Sequence, residues 1–187
     1  MEADWEFEVG PDAAGFAAPV IDAFWPGFVD LRRDPERAWH LPEAAQLPAL
    51  AEALAKLNAA ASPVWTSKSD FWPRLEADEF DAGELDAPPG SMAHAMGCYI
   101  DLLPRDGQQW AQPAIAEAAC KRVCGLLRAV PLRCRRVDLV IRRAFIVADR
   151  MDFGITAYLT SCGPSSAEAA RRLAAALTAL TDALCSD

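Results

Sequence analysis

The feature that most constrains the fold is a long stretch in the second half of the sequence in which apolar residues take every second position. In residues 135–147 the apolar residues at odd positions are Val137, Leu139, Ile141 and Phe145, and in residues 151–162 they are Phe153, Ile155, Ala157 and Leu159. A period of two is that of a β-strand with one buried face. Because only the polar segment 148–150 separates the two runs, the stretch predicts two antiparallel strands that bury these residues against helices.

Helical periodicity precedes and follows this pair. Leu47, Leu50, Leu54 and Leu57 repeat at spacings of three and four around Pro48 and predict a helix over 48–59. A second helix is expected over 113–128, between two prolines that suit its start and its end. The run from Ser165 to Glu168 is a capping box, which predicts the start of a third helix.

Two further strands, over 64–70 and 95–103, complete the order arm-α-β-β-α-β-β-α. Paired strands with helices between them predict an α+β fold, a two-layer sandwich of an antiparallel sheet with helices on one face. The length of 187 residues suits one domain over 1–187. Residues 1–42 form an irregular arm with a short strand at 5–9, and residues 43–187 form the sandwich core. We expect this Trp-rich arm to pack on the domain.

Composition excludes several classes of protein. With 52% hydrophobic and 24% charged residues the chain is neither disordered nor collagen-like. No apolar run is long enough to span a membrane, and the first twenty residues hold five acids, so we expect a cytoplasmic protein without a membrane partner. A net charge of −9 argues against nucleic acid. The excess of Arg and Ala indicates a GC-rich, bacterial genome.

Six cysteines are present but no Cys-x-x-Cys pair, so we expect reduced thiols that are mostly buried. His94, Cys98, Cys120 and Cys124 have a spacing that superficially suits zinc, but Cys120 and Cys124 fall on the predicted core face of their helix. Cys162 precedes a helix, whose dipole could lower its pKa. No nucleotide-binding or hydrolase motif occurs, and we expect no metal and no cofactor.

Polar side chains alternate with the apolar ones on the predicted strands and should share the opposite face of the sheet. The candidate ligand-binding residues on this face are Arg136, Asp138, Arg142, Tyr158, Tyr99 and Asp101, which Lys68 and Asp70 can join. Arginine and hydroxyl groups together suit a small anionic ligand, a carboxylate or a phosphate. Two other interpretations are a solvated face with cross-strand ion pairs and, the one we favour, a face covered by the arm.

Charge and tryptophan are both distributed unevenly. Residues 1–92 have a net charge of −12 and residues 93–187 of +3, which indicates that the two halves pack together or share a partner, or that acidic loops add solubility. All six Trp lie in the first 110 residues. They suit either a binding surface or, more simply, irregular segments that need large side chains to become ordered.

We interpret the chain as a non-catalytic binding or interaction protein, expected to be a homodimer. Its element order is similar to that of acidic bacterial secretion chaperones, which implies a module that binds protein segments. The alternative is an enzyme or sensor in which Arg136 and Arg142 hold an anion, a tyrosine positions it, and Asp101 or Asp138 acts as base. A third possibility is a subunit of a hetero-complex that uses the small residues of the last helix.

Overall fold

The computed structural model describes residues 1–8, 20–23, 25–76, 79–81, 83–88, 93–106, 110–147 and 150–186. Within these residues the chain is a mixed α+β protein, as predicted, and has one open six-stranded sheet and several helices. The strands are β1 (Glu2–Phe7), β2 (Val20–Asp22), β3 (Val64–Trp72), β4 (His94–Pro104), β5 (Arg135–Val147) and β6 (Arg150–Gly163). The helices are α1 (Pro42–Gln46), α2 (Pro48–Asn58), α3 (Pro113–Arg128) and α4 (Ser166–Cys185), with a 3-10 helix over Pro35–His40.

The sheet has the order β1-β5-β6-β4-β3, and β2 pairs with β5 further along the edge that β1 occupies. The four strands from β5 to β3 are antiparallel, as predicted. The prediction of a wholly antiparallel sheet is wrong, because β1 and β2 both pair parallel with β5. Alternation of apolar and polar residues is the same for both strand directions, and no hairpin turn links β1 or β2 to β5 to fix the direction.

The predicted local signals set the helix boundaries. Proline occupies the first turn of α2 and of α3. Backbone N–H groups in a first turn have no acceptor within the helix, so the absence of an N–H in proline costs no hydrogen bond there. The Ser165 hydroxyl accepts a hydrogen bond from the Glu168 backbone N–H at 3.2 Å, and α4 begins at the next residue, Ser166. The serine half of the predicted capping box is therefore confirmed, whereas the Glu168 carboxylate pairs with Arg171 and Arg172.

One large hydrophobic cluster joins the helices to the sheet. Its strand residues are those that alternate to one side, which we call the inner face: Val137, Leu139, Ile141, Ile155, Ala157, Leu159, Met96, Cys98, Ile100 and Leu102. Leucines of α2, α3 and α4 complete it. Phe145 was predicted to belong to this core, and that prediction is wrong, since its side chain is 42% exposed. Phe145 pairs with Met151 near the end of β5, beyond the residues of that strand that join the cluster.

The opposite side, the outer face, carries its apolar clusters at its two ends, with the buried Val140 between them. At one end Trp65, Leu103 and Ala144 pack with Ile21 and Ala23 of the arm. At the other end Ala95, Cys134 and Cys162 pack beneath Leu75, Phe80, Leu85 and Ala87. Two irregular segments therefore cover the ends of the outer face, and its polar middle lies between them.

No helix within the described residues is long and apolar enough to cross a membrane.

Candidate functional site

The polar middle of the outer face contains all six candidate residues from the sequence. The sheet register places Tyr158 between Tyr99 and Asp138, so that these three side chains form one row across β4, β6 and β5. Asp101 lies opposite Thr156 in the adjacent row. Arg136 and Arg142 lie on β5, two residues before Asp138 and four after it. We call this surface the polar face.

Arg142 is the centre of a hydrogen-bond network. Its Nε and Nη2 contact Glu8 Oε2 at 2.6 and 2.5 Å, and its Nη1 donates to Tyr158 Oη at 3.0 Å and to Thr156 Oγ1 at 3.3 Å. Burial disfavours the charge of Arg142, but the hydrogen bonds with Tyr158 and Glu8 outweigh it and raise the pKa of the guanidinium. Arg142 therefore holds a carboxylate of its own chain.

Asp101 is the buried acid of the same network. Its Oδ1 accepts a hydrogen bond of 2.6 Å from Thr156 Oγ1, and the residue is only 5% exposed. Burial raises the pKa of its carboxyl group, while Thr156, Lys68 and Arg142 partly offset that effect. A carboxyl group with a raised pKa can exchange protons nearer to neutral pH than an exposed aspartate does.

Arg136 also has carboxylate partners. Its Nε donates to both oxygens of Asp138 at 2.8 Å, and its Nη1 lies 3.5 Å from Glu84 Oε2. The hydrogen bond with Asp138 raises the pKa of Arg136. Both arginines proposed to hold an anion are thus paired within the chain, Arg136 with a carboxylate of its own strand and Arg142 with Glu8, which follows β1.

Aromatic rings form a row across the strands of the polar face. Trp72 of β3 stacks on Tyr99 at a centroid distance of 5.7 Å, and Tyr99 lies 5.9 Å from Tyr158. The Arg142 guanidinium lies 5.4 Å from the Tyr158 centroid and ends the row. All three rings are partly exposed. Burial, together with Asp101 and Asp70, raises the pKa of Tyr99 to about 12, so its hydroxyl stays protonated at neutral pH.

Three residues of this site are not among the six candidates from the sequence: Glu8, Thr156 and Trp72. Trp72 shares the parity of Lys68 and Asp70 along β3, a signal that places it on the polar face. The position of Glu8 depends on a pairing across 134 residues, and no local pattern indicates it.

The described part of the arm contacts the outer face near Trp65. Phe28 lies edge-on to Trp65 with 6.1 Å between centroids, and the Arg32 guanidinium lies 4.0 Å from the Trp65 ring. Most of the link between β1 and β2, residues 9–19, lies outside the described residues. The prediction that the arm covers the middle of the polar face stays a prediction.

The thiols show no sign of activation. The described cysteines are free, five are buried and Cys185 is partly buried. Burial raises the pKa of Cys120 to about 12 and is the main reason that the pKa of Cys162 is raised to about 11. The expectation that a helix N-terminus could activate Cys162 is therefore not met. No group of three or more His, Cys, Asp or Glu among the described residues has the geometry to hold a metal ion.

The polar face thus combines stacked aromatic rings with paired charges. No family model matches the chain, and neither a curated protein nor a solved structure shows significant similarity to it.

Proposed function

We propose that this chain is a non-catalytic binding protein that takes a basic segment of a partner protein on its polar face. The row formed by Trp72, Tyr99 and Tyr158 is the observation that carries the proposal. The proposal includes the predicted two-layer arrangement, in which helices cover the inner face and leave the outer face for the partner.

The aromatic row has the properties of an interaction surface. It crosses the three strands β3, β4 and β6, two interstrand spacings or about 10 Å. Large rings with one apolar face and a polar edge contribute much of the binding energy in protein interfaces, at a small cost in side-chain entropy. The row is therefore long enough to contact several residues of an extended peptide.

The charges around the row favour a basic partner. Ala3 and Trp5 of β1 pack with the core, so Glu2, Asp4 and Glu6 lie on the other side of that strand and are exposed. On the far edge of the sheet Asp70 is exposed as well. Asp4 is paired with Arg128 at 3.4 Å, and both Arg136 and Arg142 are paired with carboxylates. Glu2, Glu6 and Asp70 therefore dominate the rim. Such a rim attracts Lys and Arg side chains, which also stack favourably on Trp and Tyr.

The cellular setting is part of the same proposal. The free thiols support a reducing, cytoplasmic environment. Self-association as a homodimer remains a prediction from the sequence.

The experiment is selection from a random peptide display library, followed by fluorescence polarisation with the enriched peptides. We expect peptides of net positive charge whose affinity falls with rising salt. Trp72→Ala should weaken binding by about tenfold or more, because it removes one end of the row. Trp39→Ala is the matched control, since Trp39 is 43% exposed on the 3-10 helix, outside the row. Enrichment of acidic or uncharged peptides, or equal binding by both variants, would contradict the proposal.

A second candidate function is the binding of a small anionic ligand by an enzyme or sensor. The observation that favours it is the ion pair between the Glu8 carboxylate and Arg142, which also donates a hydrogen bond to the Tyr158 hydroxyl. A ligand carboxylate that displaced Glu8 would meet the same donors. Asp101, with its raised pKa, would then be the base. The Arg142→Ala variant considered in the Discussion tests this candidate.

A further inference from the structure

A small cavity lies at the edge of the sheet formed by β3, between that strand and the arm. Its volume is about 200 Å³, which equals roughly six or seven liquid waters. We call it the edge cavity. Its apolar wall is formed by Val29, Leu31, Leu41 and Leu54, and its polar lining includes Glu43, Ser67, Lys68 and Ser69.

An irregularity in β3 produces the polar lining. The pairing of β3 with β4 shifts register between Thr66 and Ser69, so the intervening residues leave the regular alternation. Bulges of this kind redirect side chains and are frequent beside binding sites. The Trp25 indole Nε1 donates to the Ser67 carbonyl at 3.1 Å and fixes the arm against this segment. The arm and the bulge thus build the cavity together.

Ser67 supplies the clearest sign of a ligand. Its Oγ is buried and has no hydrogen-bond partner among the described residues. A buried hydroxyl without a partner loses its hydrogen bonds to water and gains nothing in return, which is why native proteins rarely leave one so. A rotation of the Ser67 side chain about χ1 would turn this hydroxyl toward the edge cavity, where a polar ligand would supply the missing partner.

Both signs of charge line the same cavity. Lys68 Nζ lies 5.6 Å from the Trp25 centroid, and Glu43 Oε1 accepts a hydrogen bond of 3.0 Å from Ser69 Oγ. Lys68 also acts electrostatically on Asp101 of the polar face and lowers the pKa of that carboxyl group. A purely anionic ligand would be repelled by Glu43, and a purely cationic one by Lys68.

We propose that the edge cavity binds a small zwitterion with an apolar side chain, a free aliphatic amino acid. Its carboxylate is placed by Lys68 and by the Ser67 hydroxyl, which donates to it. Its ammonium group is placed by Glu43, and its side chain packs on the wall of Leu41 and Leu54. The aromatic row of Trp72, Tyr99 and Tyr158 shares no residue with this cavity, so the two proposals fail or succeed independently.

Isothermal titration calorimetry of the full chain tests the charge requirement. The probes are leucine, 4-methylpentanoate, which lacks the ammonium group, and 3-methylbutylamine, which lacks the carboxylate. We expect leucine to bind about tenfold more tightly than either analogue, because each analogue leaves one charged group of the cavity unpaired. Absence of binding by glycine, alanine, valine and leucine at millimolar concentration overturns the proposal, as does equal affinity for the three probes.

Variants locate the binding. Ser67→Ala removes only the unpartnered hydroxyl, so the fold should be retained while leucine binds about tenfold less tightly. Lys68→Met should abolish the preference for leucine over 3-methylbutylamine. Lys121→Met is the matched control, because Lys121 Nζ lies 5.2 Å from the Trp5 ring, outside the cavity, and should leave affinity unchanged. Unchanged affinity in both cavity variants overturns the proposal, and the thermal midpoint of each variant verifies that it is folded.

An NMR titration gives a second, independent location. The Trp25 indole signal, identified by its loss in Trp25→Phe, should shift on addition of leucine, because its hydrogen bond to Ser67 borders the cavity. The Trp72 indole should not shift, and Trp72→Ala should bind leucine normally. Leucine binding that moves Trp72 and leaves Trp25 unaffected would assign the ligand to the polar face and overturn the edge-cavity site.

Discussion

The two faces of the sheet are made by the same strands but are stabilised differently. The inner face is a continuous apolar surface, and most of its residues are almost fully buried against helices. The outer face has apolar ends covered by two irregular segments and a polar middle of ion pairs and stacked rings. Burial of apolar area gives the inner face its contribution to stability, whereas the outer face keeps partly exposed groups that contribute less to stability.

The largest expected effect is on the inner face. Leu159→Ala should lower the free energy of unfolding by about 2–5 kcal/mol, because Leu159 is fully buried and its truncation leaves a cavity. Thr160→Ala, on the next residue and the opposite face, should cost less than about 1 kcal/mol. Urea unfolding of the two variants measures both. Equal losses would show that the outer face is packed as tightly as the core.

The second effect concerns the network on the outer face. Arg142→Ala removes the partner of Glu8 and the donor to Tyr158 and should lower stability by about 1–3 kcal/mol. Glu8→Gln should cost less than about 1 kcal/mol, because the Glu8 side chain is 47% exposed against 18% for Arg142. Both are measured by urea unfolding, with and without succinate. Succinate should stabilise the wild type and not Arg142→Ala if the second candidate function is correct, and no stabilisation of the wild type would contradict that function.

The smallest effect has the opposite sign. The pKa of Asp101 is higher in the folded chain than in the unfolded chain, so its charge opposes folding at neutral pH and this cost disappears as the pH falls and the carboxyl is protonated. Asp101→Asn should therefore be slightly more stable than wild type at neutral pH, and the difference should shrink toward acidic pH. Unfolding curves over this pH range measure it. A difference that grows at low pH would mean that Asp101 is stabilised as a carboxylate.

Local signals in the sequence were enough to predict the helices and strands that form the inner face and its cover. Pro113 and the spacing of apolar residues predicted α3 over the residues that form it, and the capping box placed the start of α4. Alternation in β5 and β6 predicted which residues are buried, apart from Phe145, which is exposed, and Phe153, which is only partly buried. These features succeed because caps, turns and periodicity are properties of short segments.

The outer face depends on contacts that no short segment encodes. Its six candidate residues do share one face, because alternation fixes the side to which each points. The ion pair of Arg142 with Glu8 and the row from Trp72 to Tyr158 require the order of strands in the sheet. That order follows from packing of the whole chain, as does the parallel direction of β1, so the partners of each candidate residue were not predicted.

The parallel pairing of β1 with β5 also means that β1 is synthesised long before the strand with which it pairs. Glu8 and Arg142 are 134 positions apart, so at 5–20 residues per second β1 waits roughly 7–27 s on the ribosome before its partner strand emerges. An unpaired strand is prone to pair with other chains, and charged residues at alternate positions suppress this. The acids Glu2, Asp4, Glu6 and Glu8 therefore keep the waiting strand from aggregating in the nascent chain.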